Sequence, residues 1–367
     1  MNRRSFLLGS VAALAAARLP VASASTSEST SVYGELLPPD ANGVRLPAGF
    51  RSRVVARTGD VVGANVWHPA PDGGACFPTG DGGWVYASNS EVPVVGGAGA
   101  VRFSSAGDIV DSYRILTGTT LNCAGGATPW GTWLSCEEHP LGMVWECDPQ
   151  RPGQGVPRPA LGHFAHEAVA IDPVRGHAYL TEDTGTGLFR RFTPSTIGSL
   201  AAGTLEAVRI AADGTVTWVP DGAADATTFD GGEGVWFHED RVYFTSKGDN
   251  TVRVLDVVAQ RVSVLYDADG PLNGVDNVTV SGGGDVLVAE DGGDMQICVL
   301  ADGVVTPIVQ VVGHDGSEIT GPAFSPDGTR LYFSSQRGPA APQDAIPEVG
   351  RFLRPGVTFE VTGPFRP

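Results

Sequence analysis

Six short apolar runs in this chain begin beside a polar side chain or a thiol. The residues are Cys76, Cys123 in NCAGGATPW, Glu167 in HEAVAID, Glu233 in GEGVWF, Asn277 in DNVTVS and Thr320 in ITGPAFS. Asp276 and Glu318 stand beside the last two. Carboxylates brought face to face repel one another unless a cation neutralises them. Several acids with an Asn amide oxygen suit a hard cation such as Ca²⁺. A thiolate among them adds affinity for a softer transition metal. Taken singly, a Glu at a strand start is usually solvated, and a lone Cys is usually a small buried hydrophobe. Their recurrence at one position of a repeat is what argues for a shared site. The metal ligands expected from this column are Cys123, Glu167, Glu233, Asp276, Asn277 and Glu318.

A second polar column follows ten or more residues later: Asn89, Cys136, Glu182, Ser246, Glu290 and Ser335. Such residues can orient ligands from behind, and Glu290 is counted with the ligands themselves. The next positions include Lys247 and Arg337, the natural cations for an anionic substrate. As ordinary rim residues the same two would form surface ion pairs. His163 and His166 flank the start of the HEAVAID segment; His166 could serve as a ligand or an acid/base, and a structural histidine is the stronger reading. No GxSxG, Walker A or HExxH motif is present.

The elements that must carry these residues are strands. Segments such as RVYFTS, DVLVAE and RLYFSS are short and bounded by Gly, Asp or Asn, and Gly (50) and Pro (27) are abundant. The unit recurs with apolar anchors at Tyr86, Trp133, Tyr179, Tyr243, Leu287 and Tyr332, at steps of 47, 46, 64, 44 and 45 residues. A period in the forties matches one propeller blade. Each polar strand start, tight turn and anchor strand forms a hairpin. The expected fold is all-β, a six-bladed β-propeller, with an insertion in the long step around Ser195–Ala226. Inner strands of different blades converge on one axis, so the first column becomes one central site.

Residues 1–24 read as a cleavable leader. Arg3 and Arg4 precede SFLLG, an apolar stretch follows, and Ala22-Ser23-Ala24 closes it. The paired arginines fit the twin-arginine pattern, which predicts passage through that translocase and an extracytoplasmic location, periplasmic or secreted. Residues 25–50 form an N-terminal segment and 51–367 a single propeller domain. Losing Arg3, Arg4 and Arg18 takes the formal charge from −17 by three units to −20. So acidic a chain is a poor partner for nucleic acid or anionic membranes. Five cysteines leave at least one unpaired. Cys136 and Cys147 could pair across a short loop, which would leave Cys123 for metal; a Cys76–Cys123 bridge is the competing arrangement.

NCAGGATPWGTWLSCEE, GHFAHEAVAIDP with YLTED, GEGVWF and EITGPAFSPDGTRLYFSSQ together resemble the PhoX family of bacterial alkaline phosphatases, in order from about Gly82 to Arg337. The resemblance implies a monomeric, exported six-bladed propeller. It would hydrolyse small-molecule phosphate monoesters at a centre of Ca²⁺ and Fe³⁺. It makes Cys123 the iron-ligating thiolate and Glu167 and Glu233 metal-bridging carboxylates. The family tends to carry an Arg two residues before the second of these; here that position is Gly231, so Lys247 or Arg337 would take its part. Two rival readings stand beside this one. A calcium-dependent propeller lactonase or esterase needs no thiolate, and a metal-stabilised binding module needs no iron.

Overall fold

The computed structural model describes residues 31–339, apart from 154, 269 and 302, together with 354–366. Six antiparallel sheets of four or five strands follow one another along the chain. Their innermost strands are Pro71–Pro78, Asn122–Ala127, His166–Ile171, Gly232–His238, Val275–Val280 and Ile319–Phe324, which define blades 1 to 6. Successive inner strands contact one another around the ring, and the sixth returns to the first. This is the expected six-bladed propeller.

Closure comes from the N-terminal side. Blade 6 takes three strands from the C-terminal region and its outermost strand from Arg51–Arg57, with Val54 opposite Phe359. Val44–Arg45 likewise extends the outer edge of blade 5, with Val44 opposite Val311. Tyr33 donates its hydroxyl hydrogen to Asp285 Oδ2 at 2.6 Å. The described part of the 25–50 segment is therefore built into the propeller. The leader assigned to 1–24 lies outside the described residues.

The core sits between blades. Leu287, Ile297 and Val299 of blade 5 pack on Leu331, Phe333 and Phe359 of blade 6, and Tyr86 of blade 1 stacks on Tyr332 at 4.9 Å. Each blade has a neighbour on both faces, so the second strand of blade 1, Trp84–Ser90, is buried throughout. Two-sided burial favours apolar runs over clean polar–apolar alternation. The long step in the repeat is resolved by a fifth strand. Blade 3 continues through Gly203–Ile210 and Val216–Pro220, which cover its outer edge.

Every inner hairpin slips register near the start of its inner strand. The shifts fall between Pro71 and Gly74, His166 and Val169, Gly232 and Val235, Val275 and Val278, and Thr320 and Ala323. In blade 2, Asn122 and Gly125 are paired on either side of the irregularity. The residues left out of the ladder include Asp72, Cys123, Glu167, Glu233 and Asp276. A bulge turns a side chain away from the regular pleat and is common beside functional sites. Here it turns one ligand-type side chain to the axis in each of blades 1 to 5; in blade 6 the slip holds Gly321 and Pro322 instead.

Candidate metal centre

Among the described residues four overlapping groups of ligand atoms result, each within 4.8 Å internally. Glu167, Glu233 and Asp276 form one; Cys123, Glu138 and Glu167 form a second. Asp276, Asp291 and Glu318 form a third, and Asp72, Glu91 and Glu318 a fourth. Shared members link them into a belt around the channel mouth. Further along the inner strands the channel narrows to a cavity of about 30 Å³ lined by small residues, among them Gly73, Ala124, Gly126, Ala168, Gly234 and Gly321. A Cβ on Gly126 would lie 1.7 Å from the Val169 carbonyl oxygen, so the inner strands pack at backbone distance.

The belt is electrostatically strained as it stands. Burial, then the neighbouring Glu233, Glu138 and Asp276 charges, pushes the Glu167 carboxyl well above its usual range. Burial raises Glu233 to about 8 even against the attraction of Lys247, and burial with Glu91 and Asp183 raises Glu138 to about 8. Asp276 and Glu318 are driven up the same way, first by burial. Burial and then the charges of Asp72 and Glu167 push the Cys123 thiol up as well. A bound cation inverts this logic for every group it touches.

The residues fit such a cation. Glu167 is fully buried, and neither carboxylate oxygen has a hydrogen-bond partner. A buried carboxylate without donors is costly to keep. Elsewhere in the belt the acids are partly satisfied. Gln336 Nε2 donates to Asp72 Oδ2 at 2.6 Å and Glu91 Oε2 at 2.7 Å, and Arg337 pairs with Glu318 at 3.0 Å. Lys247 Nζ lies 2.6 Å from Glu233 Oε1 and 3.2 Å from Asp291 Oδ2.

Of the residues expected from sequence, Cys123, Glu167, Glu233, Asp276 and Glu318 come together in the belt, with Lys247 and Arg337 against it. Two others have different work. Asn277 donates to Asp276 Oδ1 at 2.7 Å and accepts from the Gly321 N–H at 2.6 Å, so it orients a neighbour. Glu290 accepts backbone N–H groups from Asn273 and Gln296 at 2.9 and 3.0 Å and stays outside the four groups.

Cys76 is not in the column. It faces Tyr86 in the hairpin and packs with the aromatic cluster between blades 6 and 1. The axial residue of blade 1 is Asp72, four positions earlier and second in its inner strand, as Cys123, Glu167, Glu233 and Asp276 are in theirs. Cys136 and Cys147 sit three register positions apart and are free, as are the other cysteines. Neither expected disulfide is present. His166 is buried against Phe164, with Nε2 3.2 Å from the Gly162 carbonyl oxygen.

Sequence reasoning missed Asp72 and Glu138 and counted Glu91 and Asp291 with the residues behind the ligands, not among them. The available signal lay in Asp72-Gly73-Gly74, which parallels Cys123 ahead of Gly125-Gly126, and in the doubled acid of SCEE. Glu137 of that pair accepts Thr120 and Met143 N–H groups, while Glu138 turns to the axis.

Fold and site together define a six-bladed propeller with an acid-rich, thiol-bearing centre on its axis. The family model for alkaline phosphatase PhoX matches residues 79–141 and 139–234, the stretch that carries Glu91, Cys123, Glu138, Glu167 and Glu233. That match, to a family of alkaline phosphatases, spans residues 79–234 of the 367 in the chain. Among solved structures, PhoX of Pseudomonas fluorescens in complex with vanadate, a transition state analogue, superposes with a TM-score of 0.72. The two are 17% identical over 89% of this chain and 97% of that one. A gluconolactonase of Xanthomonas campestris shares the fold more loosely, with a TM-score of 0.51 and 13% identity over 90% of this chain and 98% of that one. No curated protein matches the sequence.

Proposed function

We propose that this chain is an extracytoplasmic phosphomonoesterase whose belt holds calcium and iron. The observation that carries this reading is Glu167, a buried carboxylate with both oxygens unpartnered, set between the thiol-bearing group and an all-carboxylate group. Cys123, with Glu138 and Glu167, offers the softer donor set and suits iron; the groups built on Asp276, Glu318 and Asp72 offer only oxygen and suit calcium. Bound there, the cations would neutralise phosphate oxygens and stabilise the charge of the transition state.

The chain's own part is to fix that charge and orient the ester. The narrow channel behind the belt confines a substrate to one mouth. Lys247 and Arg337 stand at that mouth, paired with the belt acids Glu233, Asp291 and Glu318, and are suited to the phosphate oxygens the metals leave uncovered. Gly231 has φ +64°, a conformation that an arginine side chain rarely adopts, so these two carry the positive charge on this side. Export through the twin-arginine route accords with the leader pattern. The lactonase reading gives Cys123 no role.

Metal content and p-nitrophenyl phosphate hydrolysis, measured on one sample from its native export route, test the proposal. Iron with calcium and hydrolysis is expected. Calcium without iron defeats the iron assignment, and metal without hydrolysis defeats the phosphatase reading. Cys123→Ala should lose iron and at least about a hundredfold in activity while its circular dichroism stays unchanged.

A further inference from the structure

Lys247 is the only lysine in the chain; 23 of the 24 Lys and Arg residues are arginine. The single exception stands inside the carboxylate belt. Its two partners, Glu233 and Asp291, belong to different ligand groups that share Asp276. The ammonium therefore bridges the junction of two sets of carboxylates, each able to hold a cation.

The choice of lysine has a physical reason. A guanidinium is a planar fork, whereas an ammonium is a compact point charge with rotatable donors on a flexible four-carbon stem. Only the latter resembles a spherical cation, and only the latter moves by simple rotations of its stem. The surroundings leave it room. Lys247 is anchored by its N–H to the Gly231 carbonyl at 2.7 Å, and a Cβ on Gly231 would stand 3.6 Å from Lys247 Cβ. Gly231 adds no side chain to that flank, which Asp183 Oδ1 borders at 3.3 Å from where the Cβ would stand. The Lys247 side chain is 35% exposed while that of Glu233 is 3% exposed, so the ammonium reaches a buried acid from the solvent side.

We propose that Lys247 is an exchangeable internal cation. Its ammonium occupies the Glu233–Asp291 junction while that sector holds no metal. Cation binding there takes over the carboxylate oxygens and releases the ammonium from Glu233 and Asp291, so that it becomes available to the substrate phosphate. No bond is made or broken; one cation replaces another. This rests on the metal-centre reading above and adds to it the order in which the charges are satisfied.

The lone lysine makes the test specific. The full chain, stripped with a chelator or loaded with calcium, is treated with an acetylating reagent, and the Lys247 peptide is quantified by mass spectrometry. Calcium is expected to raise its acetylation rate about tenfold, the factor that corresponds to about 1.4 kcal/mol. In Lys247→Met the competing charge is gone, so calorimetry should show calcium binding about tenfold tighter. Confirmed calcium uptake with unchanged Lys247 acetylation overturns the exchange and leaves a fixed ion pair. Unchanged calcium affinity in a Lys247→Met protein of native circular dichroism overturns it equally. No calcium uptake by the wild-type chain overturns the metal-centre reading itself, a result distinct from the other two.

Discussion

Asn89, at the end of the second strand of blade 1, holds Cys123 at the start of the inner strand of blade 2. Its side-chain amide donates to the Cys123 and Ala124 carbonyl oxygens at 2.9 and 2.7 Å. Its Oδ1 accepts from Trp133 Nε1 at 2.9 Å and Ser135 Oγ at 2.8 Å. Every hydrogen-bonding position of the amide is used. The same relation recurs around the ring with smaller side chains. Thr181 donates to the Glu233 carbonyl, and Thr245 donates to the Asp276 carbonyl at 2.6 Å. A polar residue of one blade thus fixes the backbone of the ligand-bearing bulge in the next.

Replacing Asn89 with Ala strands two buried carbonyls and an indole N–H. It should cost about 1–3 kcal/mol of stability, read by denaturant unfolding. Iron content should fall with it while Cys123 is still present. Normal iron in a destabilised variant would confine Asn89 to a structural role.

Glu167→Gln should move stability and metal in opposite directions. In chelated protein at neutral pH the variant removes the cost of either charging or protonating a buried carboxyl beside Glu233 and Glu138, and should unfold at higher denaturant by about 1–3 kcal/mol. Its metal content should drop. A variant both less stable and fully metallated would show that Glu167 is not a ligand.

Gly126→Ala places a methyl group where the Val169 carbonyl stands, at 1.7 Å. Backbone cannot yield as a side chain can. The expected loss is at least about 3 kcal/mol, the upper end for overpacking, visible as a lowered melting temperature or poor soluble yield.

Glu146, on the third strand of blade 2, supplies a pH test away from the metal belt. Burial alone would raise its pKa, but hydrogen bonds from Trp130, Thr132 and Arg158, with the Arg158 charge, hold it below the usual range. A depressed folded-state pKa contributes stability that is present above the unfolded value and lost as pH falls through the folded one. Glu146→Gln should therefore cost about 1–2 kcal/mol at pH 7. The gap from wild type should close as the pH falls below the carboxylate range. A gap independent of pH would mean that packing, not charge, sets the cost.

By itself, the sequence determined the fold class, the number of blades and most of the belt. Strand periodicity and turn residues are local properties, and a repeat near 45 residues converts them into a ring. Cys123, Glu167 and Glu233 were legible because each sits at the same phase of that repeat. What only the tertiary structure decided was which side chain of each inner strand meets the axis. The bulges shift the phase by a residue, which exchanges Asn277 for Asp276. In blade 1 the axial position falls on Asp72, the second residue of its inner strand, and not on Cys76. Register is set by pairing with the neighbouring strand, and pairing is not written in any one segment. Likewise the polar residues of the second strands looked alike in sequence, yet Asn89 clamps the next blade while Glu290 caps its own turn. Distance to the neighbouring blade decides between them, and that distance exists only once the ring has closed.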